Sequence, residues 1–309
     1  MTRRDALRGF LGAAAWLLAG RRRPARAQAA PVAREVWGRI ETVGDGVWAV
    51  VSTPNPDDRT SCATFCNGGF VAGRERVLVF DAFGSTDGAA WVAEQARVLT
   101  GQPATDVVIS HHHGDHRGGL SAFGASGARP TVWATASTRD TVLPEAGNEA
   151  REMLEAASLV AAEGPSTLDL GGRQVAITPY AGHTASDLIA TVDDITFCGD
   201  LLWTGLVPNY VHATPIDLDR NVDAMLADRT ATMVPGHGPL ADADALDDYR
   251  TLLDAIEAEG RRSFAAGEPP AEAAAAFRLP AGFEALGAFG SLPRAFEVAF
   301  GAWHRQLGR

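Results

Sequence analysis

The 309-residue chain contains no lysine: all 27 of its basic residues are arginine. That absence excludes Schiff-base chemistry at a lysine amine and any phosphate-binding loop of the Gly-Lys-Ser/Thr kind. Cysteine is scarce too, and three of them are too few for a disulfide-built scaffold. No internal repeat is visible and no long linker divides the chain. What is present is ordinary for a soluble globular protein, with 46% apolar and 21% charged residues, which excludes a largely disordered or collagen-like chain. The length suits one or two domains.

The N-terminus pairs Arg3 and Arg4, runs apolar from Gly9 to Gly20, and continues through Arg21-Arg22-Arg23-Pro24 to small residues at Ala25, Ala27 and Ala29. The apolar run is shorter than the roughly 20 residues a spanning helix needs, so an export signal fits better than a retained anchor helix. The segment resembles a twin-arginine signal, with Ala6 where an aromatic residue is more usual. The resemblance implies export of a folded chain to the periplasm or beyond, with only transient membrane contact and with residues 1–29 outside the fold. Those residues hold seven arginines and one aspartate, a net of +6, so the remainder carries −17 against −11 for the whole chain. A body that acidic repels nucleic-acid phosphates, which counts against a nuclease.

Residues 35–53 alternate apolar and polar around Gly44-Asp45-Gly46, a hairpin pattern. A strand is expected through Phe70-Val71-Ala72, and the continuous apolar run Val77-Leu78-Val79-Phe80 suits a strand buried on both faces. A helix over 86–99 and another buried strand over 106–110 follow. The pattern then predicts a helix-rich stretch over about 136–162, hairpin strands within 167–179, strands near 187–192 and 195–199, and helices over 217–229 and 241–260. The last fifty residues read as mostly helical, with a break at Gly267-Glu268-Pro269-Pro270. Strands interleaved with helices imply sheets covered by helices, an α/β domain over 30–309 whose end, 240–309, is a helical extension.

The informative segment is Ser110-His111-His112-His113-Gly114-Asp115-His116, directly after a predicted buried strand. Four histidines and an aspartate so close together are hard to explain as packing, because imidazole and carboxylate are unfavourable when buried unpaired. Imidazole nitrogen and carboxylate oxygen are the ligands that borderline divalent metals prefer. An exposed turn binding metals adventitiously is the alternative for this segment alone. Three further turns repeat the theme: Gly182-His183, Gly199-Asp200 and Gly236-His237, each placed just beyond an apolar strand. Strand ends are where open α/β sheets collect ligands.

The pattern His-x-His-x-Asp-His followed by Gly-His, Gly-Asp and Gly-His resembles the metallo-β-lactamase superfamily over roughly residues 40–240. The resemblance implies a four-layer αββα sandwich with a dinuclear site at one edge of the paired sheets. Carried over by motif, His111, His113 and His183 would hold one metal, Asp115, His116 and His237 the second, and Asp200 would bridge them. Asp200 stands where many true β-lactamases place cysteine or serine, so the site resembles those of hydroxyacylglutathione hydrolases and related enzymes. The lysine with which some family β-lactamases hold the drug's carboxylate cannot exist here; an arginine would have to serve, and the sequence does not say which.

Two zinc ions sharing a bridging hydroxide would suit hydrolysis of an ester-like, thioester, lactone or β-lactam bond in a small molecule, with Asp115 orienting the water and shuttling its proton. Alternatives are a mononuclear-iron enzyme similar to persulfide dioxygenases, using positions like His111, His183 and Asp200, and a non-catalytic periplasmic metal-binding accessory protein. No protein partner is implied. His112 fits either a supporting or a structural role. Asn209, Tyr210 and His212 lie in a loop soon after Asp200 and are substrate-contact candidates, His212 being equally readable as a solvated loop residue. Residues 53–60 are placed to form a flap, His304 reads as a surface residue, and Cys198 as core. If the run from Cys62 to Cys66 is extended, their Cα atoms lie roughly 13 Å apart, beyond disulfide reach, so a bridge would need a local turn.

Overall fold

A computed structural model describes residues 30–52, 63–125, 129–227 and 232–308. The N-terminal segment 1–29, the expected flap over 53–60 and Cys62 lie outside the described residues. No described helix is long and apolar enough to cross a membrane.

The first sheet has eight strands in chain order: β1 (Ala33–Glu35), β2 (Gly38–Gly44), β3 (Val47–Ser52), β4 (Gly68–Ala72), β5 (Val77–Phe80), β6 (Asp106–Val108), β7 (Thr131–Thr135) and β8 (Ser158–Val160). β1 to β5 pair antiparallel, β2 and β3 forming the expected hairpin, and β5 to β8 pair parallel. Parallel neighbours need crossovers, and these contain α1 (Thr86–Thr100), the short α2 (Gly114–Arg117), α3 (Ala136–Val142) and α4 (Asn148–Glu155). α1 starts where the Ser85 hydroxyl accepts from Gly88 N (3.1 Å) and ends at Gly101 in the left-handed region.

The second sheet has the order β13-β12-β11-β10-β9, built from β9 (Ser166–Asp169), β10 (Gln174–Tyr180), β11 (Asp187–Val192), β12 (Ile195–Trp203) and β13 (Thr232–His237). Only β12 and β13 pair parallel, and α5 (Pro215–Leu226) lies between them in sequence. The chain then closes with α6 (Ala243–Ala266), α7 (Pro270–Ala276) and α8 (Leu292–Leu307).

Side-chain alternation divides the apolar residues among three cores. In β5, Leu78 and Phe80 join Val47, Val71, Ile177, Leu188, Ala190 and Phe197 between the two sheets. Val77 and Val79 point the other way, onto Val92 and Ala96 of α1 and Leu154 of α4. The far face of the second sheet, with Ile189, Cys198 and Leu202, packs on Leu218, Leu253, Phe300 and Trp303 of α5, α6 and α8. Helix, sheet, sheet, helix is the four-layer αββα sandwich with a helical extension, and the apolar run at 77–80 is buried on both faces as expected.

Two expectations need correction. The stretch over 136–162 is not helical throughout: it ends in β8, whose three residues are too few to show a period of their own. Asp200 does not follow a strand ending at 199, because β12 runs on to Trp203, with register shifts against β13 on both sides of Gly199.

Candidate metal centre

Four chain segments meet at one edge of the sheets. His111 and His113 follow β6, Asp115 and His116 lie in α2, His183 is in the turn after β10, Asp200 is inside β12, and His237 ends β13. The seven fall into two groups whose ligand-capable atoms lie within 4.8 Å of one another: His111, His113, His183 and Asp200 in the first, Asp115, His116 and His237 in the second. Asp200 faces both. Its Oδ2 lies 3.1 Å from His183 Nε2 and 3.9 Å from His111 Nε2, and its Oδ1 lies 3.1 Å from His116 Nε2 and 3.4 Å from His237 Nε2. His183 Nε2 is 2.9 Å from His113 Nδ1, and Asp115 Oδ2 is 3.2 Å from His237 Nε2.

The donor set fits divalent cations on an independent ground. His111 Nε2, His116 Nε2, His237 Nε2 and Asp200 Oδ1 are all buried without a hydrogen-bond partner among the described residues. One such atom is already unfavourable; several converging on the same space are what metal ligation satisfies.

Charge separates these groups. Burial, reinforced by the neighbouring imidazoles, pushes His111 well below the usual histidine range, His113 down to about 3 and His183 down to about 4. His116 goes the other way: burial opposes its charge, but Cys66, Asp200, Asp115 and Asp81 together raise it well above the ordinary value. Burial likewise works against the Asp200 charge, yet His116, His237 and His183 hold it at about 2, and His116 and His237 hold Asp115 low against the same opposition. Both carboxylates are therefore ionised at neutral pH.

Several residues that position these groups gave no signal in the sequence. Asp81, buried at the end of β5 with φ of 68°, accepts from His116 Nδ1 at 2.7 Å. It also accepts from Ser110 N (2.8 Å) and Ser110 Oγ (3.0 Å), and that hydroxyl lies 3.0 Å from His111 Nδ1. The network leaves the Nε2 atoms of His111 and His116 aimed at the centre. Asn67 clamps both neighbours of His237: its N donates to Gly236 O and its Nδ2 to Gly238 O, both at 2.7 Å. Asp187 accepts from Thr184 N and, at 2.7 Å, from Thr184 Oγ1, which shapes the turn carrying His183. The Trp203 ring lies 4.2 Å from the His237 ring, tilted 37° to it, and half-exposed Phe289 meets that ring edge-on at 4.9 Å.

The lesser candidates sort out differently. His212 reaches the site, its Nδ1 lying 2.8 Å from His113 Nε2 and 3.4 Å from His112 Nε2, and His112 is half-buried beside it. Tyr210 must be withdrawn as a substrate contact, since its ring is fully buried in the helical core. Asn209 turns its side-chain oxygen back to Val211 N at 3.1 Å. His304 is not a plain surface residue, because it bonds Ser263 on α6 at 2.8 Å. Cys198 is core, as expected, and Cys66 is a buried thiol, unbridged among the described residues, whose pKa burial pushes up to about 12.

An αββα sandwich with two histidine–aspartate clusters at its edge defines a class of metal-binding proteins. The family model described as the metallo-beta-lactamase superfamily matches residues 63–237, more than half of the sequence. This chain belongs to the metallo-beta-lactamase superfamily. A hydroxyacylglutathione hydrolase from Shewanella baltica (strain OS223) is 29% identical over 113 residues, covering 36% of this chain and 39% of that protein. Another from Shewanella pealeana is 26% identical over 108 residues, 35% and 36% of the two chains. The match thus spans little more than a third of these relatives. Among solved structures, a metallo-beta-lactamase from Pontibacter korlensis superposes with a TM-score of 0.58 at 20% identity, covering 70% of this chain and 99% of its own. One from Erythrobacter litoralis gives 0.57 at 19%, covering 72% and 98%. At that identity the likeness is one of fold.

Proposed function

We propose that this chain is a metal-dependent hydrolase that holds two divalent ions, zinc by donor preference, and cleaves an ester-like, thioester, lactone or β-lactam bond of a small molecule. Asp200 carries the assignment, with one carboxylate oxygen facing each cluster. His111, His113 and His183 would hold the first ion, Asp115, His116 and His237 the second, with Asp200 shared. The name of the hydroxyacylglutathione hydrolases it partly matches favours a thioester. A mononuclear-iron site would leave the convergence of Asp115, His116 and His237 without a purpose.

When bound, such ions supply Lewis acidity, lowering the pKa of water from 15.7 toward about 7 and polarising a carbonyl oxygen. The protein's own contribution is to orient and to move protons. Asp115 is the site carboxylate that reaches solvent, its side chain 35% exposed against 3% for Asp200. Ionised, it accepts a hydrogen bond from the attacking water, fixes that water's direction and passes its proton onward. Asp200, buried and ionised, offsets cationic charge. Trp203 and Phe289 form an apolar wall beside His237 that excludes bulk water from that side.

The test is metal analysis of the purified protein joined to hydrolysis assays on chromogenic β-lactam, lactone, thioester and phosphodiester substrates. Asp115→Ala should fold and lose turnover by about 10²-fold or more. Turnover unchanged in that variant removes the role given to Asp115, and a full metal complement with no turnover on any substrate favours an accessory protein. The N-terminal segment supports a periplasmic or secreted location, which cell fractionation of the full chain checks.

A further inference from the structure

Seven of the chain's eight histidines gather at this edge of the sheets, and the two ions assigned above use five of them. The other two, His112 and His212, converge on the outward side of His113. That ring turns its Nδ1 inward, 2.9 Å from His183 Nε2, and its Nε2 outward, 2.8 Å from His212 Nδ1. His112 Nε2 approaches the same His212 nitrogen at 3.4 Å. The three imidazoles form a ligand-capable group of their own, one atom from each lying within 4.8 Å of the others, with no described carboxylate among them.

Hydrogen bonding leaves this trio short. A ring nitrogen either donates one proton or offers one lone pair, so His212 Nδ1 pairs well with only one of the two nitrogens that face it. A cation placed among them takes a lone pair from all three. Two zinc–nitrogen bonds at a tetrahedral angle put their nitrogens about 3.3 Å apart, and the observed 3.4 and 2.8 Å bracket that spacing. The closer contact opens by a small turn of His212, which is exposed. An all-imidazole set suits zinc, copper or nickel, whereas magnesium and calcium take oxygen. Charge is no obstacle: the Arg117 guanidinium, whose Nε donates to His112 O at 3.1 Å, is paired with Glu145, and the whole chain carries a net −11. His112 and His212 also line a cavity of about 490 Å³, which leaves a fourth coordination position open to water or a ligand.

We infer that His112, His212 and the outer nitrogen of His113 form a third divalent-cation site, beside the two clusters and joined to the first through the His113 ring. It rests on the proposed hydrolase centre only in giving His113 Nδ1 to the first ion. Coordination at Nε2 sends the ring's remaining proton to solvent and makes the ring a bridge between two ions. Two cations across one ring repel, so the third is held more weakly than the pair and fills after it. The site is therefore exchangeable, and its ion stands where the cavity meets His113.

The experiment is equilibrium dialysis of the full chain against buffered zinc at pH 7. Zinc per chain is counted in wild type, His112→Ala, His212→Ala, His112→Gln, His212→Gln and, as a control for adventitious binding, His304→Ala. Wild type and His304→Ala should take up two zinc ions tightly and a third at higher free zinc. Each change at His112 or His212 should weaken the third by about 100-fold or more, since losing even an outer partner of a ligand costs about 10- to 100-fold. Retention of the tight pair shows that the variants are folded. A wild type that saturates at two, or a third zinc kept by the Ala variants, overturns the site. A third zinc kept by the Gln variants alone reduces the trio to hydrogen bonding and overturns it as well. The dinuclear assignment fails differently, by fewer than two tight ions in wild type. The ion that depends on His112 and His212 is counted as a difference between proteins, so that failure leaves it standing.

Discussion

Protons are distributed unevenly among the buried groups of the centre. His111, His113 and His183 are pushed down and are neutral at pH 7, whereas His116, surrounded by Asp81, Asp115 and Asp200, is pushed up and is charged. A metal at His116 Nε2 must displace that proton. Binding of zinc to metal-free protein at pH 7 should therefore release about one proton, and affinity should rise about tenfold per pH unit while His116 remains charged. The sign follows from the raised value: increasing pH removes the competitor. Calorimetry in two buffers of different ionisation enthalpy reads the proton count, and a count near zero contradicts a charged His116. The converging side chains themselves were legible as metal-ligand candidates, because histidines at this density have few other uses. Asp81, Asn67 and Asp187 were not, since each sits in an unremarkable local sequence and acquires its task from partners as distant in the chain as Gly238.

Strands and turns act as rulers that set the ligands' spacing. β13 approaches β12 so closely that a Cβ on Gly236 would overlap Asp200 Oδ1 and the Gly199 carbonyl. Gly236→Ala should displace the Asp200 carboxylate and lower metal affinity about 10- to 100-fold. Metal retained after gel filtration, compared with wild type, measures this, and full retention would show that Asp200 does not depend on the close approach. Glycine before His237 was visible in the sequence as a turn residue, but the structure gives it a different task, making room inside a sheet. The irregular register around Gly199 could not be read from the alternation pattern, because β12 is buried along its whole length and therefore has no polar face.

Over the whole molecule, the C-terminal extension is part of the sandwich, covering the second sheet and reaching the site at Phe289, against the His237 ring. Trp303 is its anchor, fully buried, with a Cβ on Gly260 of α6 only 2.7 Å from the indole and Arg261 stacked 4.8 Å over the ring. Trp303→Ala should destabilise the protein by about 3–5 kcal/mol, seen as a lower urea midpoint with unchanged slope. A change under about 1 kcal/mol would mean that the extension folds independently of the sheet it covers. The amino-acid order by itself determined the αββα class and the identity of the side chains that converge at the sheet edge, because both rest on patterns of burial and ligand chemistry that are local along the chain. Only the tertiary structure decided which Asp200 oxygen faces which cluster and what holds the imidazoles in place. Those depend on distances between segments as far as 171 residues apart, and no local pattern encodes a distance across a sheet edge.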